Sequence, residues 1–256
     1  MMRVGFIGTG AITKAIVEGL DRAGKDNTIL VSNRSEAVSR DIERRFARIK
    51  RAPNAEVAAN SDIVFIATRP TQVEEALAGI SFHRSQIVIS FVTGLSVQDL
   101  AKLAPLSTVG RVLPLPSIAR CEGPIICYPG IPEILQLFEG MGHLVVPESE
   151  SELLAMGSVS GFMSTYFELQ NSLIAWLGRR GVTDENASTY VRAMLFALSS
   201  TAYSTSETEM DNLPAEHETK GGLNQRVRQK LKDRSWFDQP AECFGEILSL
   251  KRSSLE

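Results

Sequence analysis

The chain has 256 residues, of which 43% are hydrophobic and 22% are charged, a composition that excludes a disordered or fibrous chain. With 27 basic and 30 acidic residues the net charge is −3, so composition provides no basic surface for nucleic acid. Three cysteines without paired spacing argue against a disulfide framework, and three isolated histidines argue against a metal site. No apolar stretch has the length of a secretion signal or a membrane span. We therefore expect a cytoplasmic protein without membrane, nucleic-acid or metal partners.

Short apolar runs and amphipathic stretches alternate through the first half of the chain. The apolar runs predict strands at Arg3–Ile7, Thr28–Val31, Ile63–Ala67, Gln86–Phe91, Val109–Leu113, Ile125–Tyr128 and Leu144–Val146. The stretches between them predict helices at Ile12–Ala23, Glu36–Arg48, Gln72–Ala78, Val97–Ala104 and Pro132–Gly140. Because strands such as IVFIA and IVIS are apolar almost throughout, they indicate a parallel sheet that is covered by helices on both faces.

The pattern changes near Pro147, after which no further strand is predicted. Helices are predicted at Glu152–Arg180, Glu185–Glu209, Gly222–Lys232 and Ala241–Arg252. The chain is therefore expected to have a doubly wound α/β domain in residues 1–148 and an all-helical domain in residues 149–256. Polar residues interrupt the apolar face of the first long helix, which favours packing against a second subunit through a mixed surface.

The segment Gly-Thr-Gly-Ala-Ile-Thr, residues 8–13, lies between the first predicted strand and the first predicted helix. A glycine at position 8 allows a tight turn, and one at position 10 allows backbone amides to approach a pyrophosphate. The helix N-terminus adds unpaired N–H groups and a partial positive charge. The third small position of such a turn is Thr13 instead of glycine or alanine. This context predicts a dinucleotide-binding site, and a plain βα turn is the alternative.

The end of the second predicted strand distinguishes between the two nicotinamide cofactors. An NAD site usually has an acidic residue there, about 20 residues after the glycines, to bind the ribose 2′-hydroxyl. Here the strand is followed by Ser32-Asn33-Arg34-Ser35, whereas Asp26 precedes it at the wrong end of the sheet. Hydroxyl, amide and guanidinium groups suit a 2′-phosphate, which arginine can hold bidentately. We therefore predict NADP(H), and a solvated arginine at position 34 is the alternative.

Five segments resemble, in order and spacing, the pyrroline-5-carboxylate reductase family: GFIGTGAITKAI, SNRS, ANSDIVFIATRP, VISFVTGLS and RVLPLPSIARCEG. The resemblance continues through Gly157–Gly161 and Gly221-Gly222, so it spans nearly the whole chain. It implies a Rossmann-type domain followed by a helical domain that interlocks two subunits into a homodimer or a larger assembly. It also implies the reduction of a cyclic imine to proline with NADPH, with the imine at the dimer junction close to the nicotinamide.

The resemblance also implies roles for residues along the first domain. The pyrophosphate would be bound by the turn residues Gly8, Thr9, Gly10, Ala11 and Ile12. The 2′-phosphate would be bound by Ser32, Asn33, Arg34 and Ser35, and the adenosine ribose would lie near Asn54. Thr68-Arg69-Pro70 stands where the family has Val-Lys-Pro, and Thr93-Gly94 matches an Ala-Gly pair near the nicotinamide ribose.

The substrate segments resemble the family less closely. Leu113-Pro114-Leu115 replaces Met-Pro-Asn, residues 158–164 keep only two serines and one glycine of Ser-Gly-Ser-Gly-Pro-Ala-Tyr, and residues 218–224 keep only the glycine pair of Thr-Ser-Pro-Gly-Gly-Thr-Thr. The resemblance implies a catalytic role for Ser160 and Asn224, which would orient the imine. It implies substrate binding by Gly161, Gly221, Gly222 and Leu223. The Gly-Gly amides are suited to a carboxylate, whereas the side-chain amide of Asn224 is a poor proton source.

The glycine turn and the family resemblance together predict an NADPH-dependent reductase of a C=N bond in a small carboxylated imino acid, with pyrroline-5-carboxylate as the leading substrate. One alternative is a reductase of a different imine or carbonyl compound. The other is a non-catalytic NADP(H)-binding protein with a regulatory role. The altered substrate segments motivate both alternatives.

Overall fold

A computed structural model describes residues 2–253. The strands are β1 (Arg3–Ile7), β2 (Thr28–Ser32), β3 (Ile49–Ala52), β4 (Ile63–Ile66), β5 (Ile87–Ser90), β6 (Thr108–Pro114), β7 (Pro124–Tyr128) and β8 (His143–Val145). The helices are α1 (Ala11–Arg22), α2 (Glu36–Arg45), α3 (Asn54–Ala59), α4 (Val73–Leu77), α5 (Val97–Leu103), α6 (Pro132–Phe138), α7 (Glu150–Val159), α8 (Phe162–Gly178), α9 (Asp184–Ser204), α10 (Leu213–Glu216), α11 (Leu223–Lys232) and α12 (Gln239–Ser253). Short 3₁₀ helices lie at Pro70–Gln72, Pro116–Arg120 and Met210–Asn212.

The strands form one sheet in the order β3-β2-β1-β4-β5-β6-β7-β8. Neighbouring strands are parallel except β6 and β7, which run antiparallel. The connection between β6 and β7 holds only the 3₁₀ helix Pro116–Arg120 and a turn at Cys121, whereas a parallel crossover needs about a dozen residues or more, usually a helix. The doubly wound α/β arrangement is therefore confirmed, with one antiparallel pair that the sequence analysis did not predict.

Apolar side chains fill both faces of the sheet. Helices α1, α2 and α6 cover one face, where the rings of Phe6 and Phe65 stack with centroids 5.0 Å apart. Helices α3, α4 and α5 cover the other face, around Ile7 and Val64. Every residue of β4 is buried. A strand covered on both faces needs apolar residues at each position, which explains the continuous run IVFI.

Helix α1 packs directly against the 3₁₀ helix Pro116–Arg120. A Cβ atom on Gly19 of α1 would stand 2.4 Å from the carbonyl oxygen of Ile118. Real Cβ atoms do not approach a carbonyl that closely, so the absence of a side chain at Gly19 allows this contact. The glycine is required here by close packing and not by its backbone conformation.

Two elements of the sheet domain were not predicted. Strand β3 has the sequence IKRA, and helix α3 has only six residues, so neither shows a clear hydrophobic period. Their neighbours determine them: Ile49 of β3 pairs in register with Ile29 of β2, and Val57 and Ala58 of α3 pack in the core. Contacts with the rest of the domain therefore stabilise both elements, although their own sequence patterns are weak.

The prediction of one continuous helix over Glu152–Arg180 is wrong. Helix α7 ends at Val159 and α8 begins at Phe162, with Ser160 and Gly161 in a turn. The amide of Gly161 donates to the Ser158 carbonyl at 3.0 Å, and the amide of Met163 donates to the Ser160 carbonyl at 3.3 Å. These are bonds to the residue three positions back, which replace the α-helical ladder. Apolar spacing continues through the turn, so the pattern concealed the break.

By its internal contacts the chain divides into two compact units, residues 2–157 and residues 158–253. The division falls inside α7, and the boundary at residue 148 stays a prediction. In the second unit, α8 packs against α9, whose first turn is capped by the Thr183 hydroxyl accepting from the Asn186 amide at 3.4 Å. Large apolar side chains of this unit are exposed, among them Phe196 at 75% and Tyr203 at 71%. No helix within residues 2–253 has the length and apolar character to cross a membrane.

The three cysteines differ in exposure. Cys127, in β7, is buried in the core of the sheet domain, Cys121 is half-buried, and Cys243 on α12 is exposed. Burial disfavours the charged thiolate and raises the pKa of the Cys127 thiol to about 12. At neutral pH this side chain is therefore a protonated, apolar part of the core.

Candidate active site

A cavity of about 380 Å³ opens at the carboxyl ends of β1, β2 and β4. Strand order runs outward from β1 in both directions, and doubly wound sheets bind ligands at such a switch point. The cavity is lined by Gly8, Thr9, Gly10, Ser32, Arg34, Ser35, Asn54, Ala67, Thr68, Arg69, Gln72 and Ala76. Nine of the residues predicted to bind the cofactor therefore meet around one opening.

The two glycines of the turn differ in their surroundings. Gly8 has φ +106°, and a Cβ there would stand 2.5 Å from the Ala67 carbonyl oxygen, so the turn requires glycine at this position. Gly10 precedes α1, and a Cβ there would have no atom within 4 Å. The Thr13 hydroxyl donates to the Gly8 carbonyl at 2.8 Å, which accounts for threonine at the third small position. The turn thus leaves open space at the N-terminus of α1, where an anion is favoured.

Ser32 connects the end of β2 to the glycine turn. The Gly8 amide donates to Ser32 Oγ at 2.9 Å, and the Thr9 hydroxyl donates to the Ser32 carbonyl at 2.6 Å. Thr9 and Ser32 are both buried. The hydroxyl of Ser32 therefore holds the turn in place, and the exposed side of this loop is formed by the residues that follow it, Asn33, Arg34 and Ser35.

Arg34 places a guanidinium on the lining of this cavity. Its Nη2 donates to a carboxylate oxygen of Glu75, on α4, at 3.0 Å. The two side chains are 53% and 66% exposed, and an ion pair so exposed to water contributes little free energy. A phosphate can therefore replace Glu75 as the partner of Arg34 at small cost.

Thr68 follows β4 and carries an unpartnered polar atom. Its Oγ1 is buried, and it has no hydrogen-bond partner among the described residues. A buried hydroxyl without a partner costs free energy that a ligand in the cavity can recover. Asn54, by contrast, is engaged, since its Nδ2 donates to the Ala76 carbonyl at 3.0 Å. The open space at Gly10, the Arg34 guanidinium and the Thr68 hydroxyl fit the phosphates and ribose of NADP(H).

A second cavity, of about 550 Å³, holds three further residues that the sequence analysis predicted, Pro70, Thr93 and Gly94. Its lining is completed by Val73, Glu74, Val92, Leu95, Asp99, Lys102 and Leu103. Gly94 has φ +86°, which favours glycine in the loop between β5 and α5. Hydrogen bonds from Lys102 and Ser96 hold the pKa of Asp99 below its usual range.

The predicted cofactor residues Ala11, Ile12 and Asn33 belong to neither lining. Ala11 and Ile12 form the first turn of α1, and the amide of Asn33 donates to the Ala52 carbonyl at 3.1 Å. Three residues that line the first cavity were not predicted: Ala67, which follows β4, and Gln72 and Ala76. Gln72 ends the 3₁₀ helix Pro70–Gln72, and Ala76 lies four residues later, in α4. That helical spacing directly after Pro70 was a usable signal.

The predicted substrate residues belong to the second unit. Ser160 and Gly161 form the turn before α8, whereas Gly221 and Gly222 precede α11 and Leu223 begins it. Gly221 has φ +71°, and its amide donates to Gln225 Oε1 at 2.8 Å. The amide of Gly222 donates to the Thr219 carbonyl at 2.8 Å. A carboxylate bound by these two amides has to replace the hydrogen bonds they make now.

Asn224 and its surroundings are also engaged within the unit. The side-chain Nδ2 of Asn224 donates to the His217 carbonyl at 2.7 Å. Arg228 donates to both carboxylate oxygens of Glu218, and this hydrogen bonding holds the pKa of Glu218 below its usual range and raises that of Arg228. Lys220 is exposed. Across the described residues no group of three or more His, Cys, Asp or Glu side chains is arranged to hold a metal ion.

Comparison with known proteins extends these observations. A family model described as NADP oxidoreductase, coenzyme F420-dependent, matches residues 3–94. The pyrroline-5-carboxylate reductase of Vibrio alginolyticus is 27% identical over 94% of this chain and 93% of its own length. Pyrroline-5-carboxylate reductase 3 of Rattus norvegicus is 31% identical, over 65% of this chain and 66% of its own length. The Plasmodium falciparum pyrroline carboxylate reductase with NADP bound has a TM-score of 0.84 at 18% identity, covering 100% of this chain and 98% of that one.

The doubly wound sheet, the glycine turn with its cavity and the matching family model define the class of this protein: it is an NADP-dependent oxidoreductase. The likeness runs from end to end, in sequence to the Vibrio protein and in fold to the Plasmodium protein. The chain belongs to the pyrroline-5-carboxylate reductase family.

Proposed function

We propose that this chain uses NADPH to reduce the C=N bond of a small cyclic imino acid, with pyrroline-5-carboxylate as substrate and proline as product. The observation that carries the proposal is the first cavity, where the glycine turn and Arg34 offer phosphate-binding groups at the carboxyl edge of the sheet. NADPH supplies the hydride. The residues of the chain bind NADPH and the imino acid, and they orient the nicotinamide and the C=N bond for hydride transfer.

In this proposal the cofactor extends across both cavities of the sheet domain. The amides that follow Gly8 and Gly10 hold the pyrophosphate, and the exposed loop from Asn33 to Ser35 holds the 2′-phosphate. The Thr68 hydroxyl gains the partner that it lacks among the described residues. The nicotinamide ribose lies beside Thr93 and Gly94, in the second cavity.

The substrate carboxylate is held by the amides of Gly221 and Gly222 and by the N-terminus of α11. Ser160 and Asn224 orient the imine nitrogen, and Gly161 and Leu223 shape the space around the ring. An amide does not release a proton at neutral pH, so Asn224 acts by hydrogen bonding alone. The imine is therefore expected to react as its protonated iminium form, which needs only a hydride to become the amine.

Reduction of a different imine or of a carbonyl compound is the second candidate function. One observation favours it: the segment that the resemblance compares with Thr-Ser-Pro-Gly-Gly-Thr-Thr carries the Glu218–Arg228 ion pair, and its Asn224 side chain is bound to His217. These groups change the polarity and shape of the segment that meets the substrate. The cofactor site is the same in both candidates.

The test is the rate of NADPH oxidation with a panel of cyclic imines, with and without a carboxylate, and with carbonyl analogues. Turnover of pyrroline-5-carboxylate above that of the other compounds supports the proposal. Turnover of another imine or of a carbonyl compound alone supports the second candidate. Binding of NADPH without turnover of any compound overturns both and favours a regulatory NADP(H)-binding protein.

A substitution at Asn224 tests the proposed substrate site. We expect Asn224→Ala to lower kcat/KM about tenfold, because one hydrogen bond to the imine is lost, while the Kd of NADPH stays unchanged. Asn186→Ala, on α9, is the matched control and leaves both quantities unchanged. Equal activity of the parent and the Asn224→Ala chain would remove Asn224 from the site.

We also propose that the chain is a homodimer, or a larger assembly built from it, through the helices of its second unit. Phe196 and Tyr203 are seven residues apart on α9, so they lie on one face, and both are largely exposed. Phe196→Asp is expected to lower the mass measured by light scattering to that of a monomer. Leu106→Asp, which places the same charge on an exposed apolar residue of the sheet domain, leaves the mass unchanged. A parent chain that is already monomeric contradicts this part of the proposal.

The cytoplasmic location stays a prediction from cysteine usage.

A further inference from the structure

Arg111 and Glu150 form an ion pair within the sheet domain that the proposed cofactor site does not include. Arg111, in β6, is 2% exposed, and its Nη1 donates at 2.8 Å to Oε1 of Glu150, at the start of α7. The Nε of Arg111 is buried and has no hydrogen-bond partner among residues 2–253. Burial of a guanidinium is costly, and an incomplete set of partners makes it more so. Stability alone is therefore a poor explanation for this pair.

The same two side chains hold both ends of one loop. Nη2 of Arg111 lies 3.4 Å from the carbonyl oxygen of Val92, where the loop after β5 begins. The amide of Val97, where α5 begins, donates to Glu150 at 3.0 Å and 3.3 Å, one distance for each carboxylate oxygen. Residues 93–96 lie between these two anchors. The ion pair thus contacts the loop both where it leaves the sheet, at Val92, and where it enters the helix, at Val97.

The anchored loop forms one wall of the second cavity. Thr93, Gly94 and Leu95 line that cavity together with Val92. Gly94 has φ +86°, and glycine allows a loop many backbone conformations when its ends are not held. Fixing both ends removes most of that freedom before a ligand arrives, so less conformational entropy is lost on binding.

We propose that Arg111 and Glu150 are positioning residues, which hold loop 93–96 in the conformation that receives the nicotinamide half of NADPH. This inference rests on the proposed function, since it takes Thr93 and Gly94 to contact the nicotinamide ribose. The first cavity, which takes the adenosine half, has no residue of this loop in its lining. The ion pair therefore influences the two halves of the cofactor unequally.

The experiment measures, by calorimetric titration, the Kd of NADPH and the Kd of 2′,5′-ADP, which has the phosphorylated adenosine half and no nicotinamide. We expect Glu150→Ala and Arg111→Met each to weaken NADPH binding about tenfold and to change 2′,5′-ADP binding less than about twofold. Glu152→Ala is the matched control, because Glu152 lies in the same first turn of α7 and its carboxylate accepts from the Glu148 amide, away from the loop. Both ligands bind the Glu152→Ala variant as they bind the parent.

Removal of one partner leaves a buried charge, so a single variant that does not fold is replaced by Arg111→Met/Glu150→Gln, which removes both charges together. The same selective loss of NADPH binding is expected from this pair of substitutions, because the two residues act through one contact. NADPH bound as tightly by the variants as by the parent overturns the inference. Equal weakening of both ligands also overturns it, since that result indicates a general loss of structure. A parent chain that binds neither ligand contradicts the proposed function instead.

Discussion

Gly8 and Gly10 are two residues apart, yet the structure requires glycine only at the first. Gly8→Ala forces φ +106° on alanine and places Cβ against the Ala67 carbonyl, at a cost of about 3 kcal/mol of unfolding free energy. Gly10→Ala has open space and costs at most about 1 kcal/mol, the difference between the two residues as a helix cap.

Gly10→Ala therefore isolates the cofactor contact from the fold. We expect it to weaken NADPH binding about tenfold or more, since a methyl group occupies the space where the pyrophosphate approaches the helix. Urea unfolding and fluorescence titration of the same preparations measure the two effects. Unchanged NADPH affinity in a folded Gly10→Ala chain would argue against the proposed phosphate site.

Arg34 and Glu75 together set the preference for the 2′-phosphate. Arg34→Met is expected to weaken NADPH binding about tenfold to a hundredfold and to leave NADH binding nearly unchanged, because only NADPH carries the phosphate. Glu75→Gln frees the guanidinium from a competing carboxylate, so NADPH binding is expected to tighten about twofold to fivefold. The measurement is the ratio of the two dissociation constants. A ratio that does not move in either variant contradicts this assignment.

At the scale of elements, the contact between α1 and the segment Pro116–Arg120 reverses the usual effect of replacing a glycine inside a helix by alanine. Alanine in place of glycine inside a helix normally stabilises it by about 1 kcal/mol. Gly19→Ala is expected instead to destabilise the chain by about 2 kcal/mol, because its Cβ would meet the Ile118 carbonyl at 2.4 Å. Thermal and urea unfolding measure the sign. A stabilised variant would show that α1 can move away from this segment without loss.

The elements that carry the glycine turn were predictable because their signals are local. An apolar strand, two glycines and an amphipathic stripe follow one another within β1 and α1. Strand β3 and helix α3 were not predictable, since their short, partly charged sequences acquire structure from β2 and from the core. The break at Gly161 does have a local signal, because a Ser-Gly pair inside a helical pattern is a common place for a helix to be interrupted.

The candidate site likewise contains residues that could be predicted from the sequence and residues that could not. Most residues around the first cavity were predicted, because the turn and the residues after β2 have fixed positions in this kind of sheet. Glu75 and the Arg111–Glu150 pair were not predicted, since each contact joins residues far apart in the chain and depends on how helices pack on the sheet. A sequence pattern predicts which face of a helix or strand is buried, but it does not predict which long side chains meet between two elements.

At the scale of the whole molecule, the sheet domain carries a contact that responds to acid. The Asp62 carboxylate accepts from the Arg3 side chain at 2.8 Å and from the Arg3 amide at 2.7 Å, and these bonds hold its pKa below its ordinary value. A depressed pKa in the folded chain means that this contribution to stability is complete above about pH 4, the unfolded value. It is lost as the pH falls through the folded pKa.

Urea unfolding of the parent and of Asp62→Asn between neutral pH and about pH 2 checks this expectation. The parent is expected to be the more stable protein at neutral pH, and the difference between the two is expected to disappear at the acid end. Asp211→Asn, at an exposed carboxylate of the second unit, serves as the control. A difference that persists at the acid end would show that the Asp62 contact does not depend on ionisation.

Because the three cysteines differ in burial, they are expected to react with a thiol reagent at different rates. At neutral pH a thiol reagent reaches Cys243 directly, whereas Cys127 is both covered and protonated and reacts only while the sheet is open. With Cys121 and Cys243 replaced by serine, the rate of modification reports how often the centre of β7 opens. A ligand that binds only the closed sheet slows that rate in proportion to its occupancy, so the thiol can record nucleotide binding without any turnover of substrate.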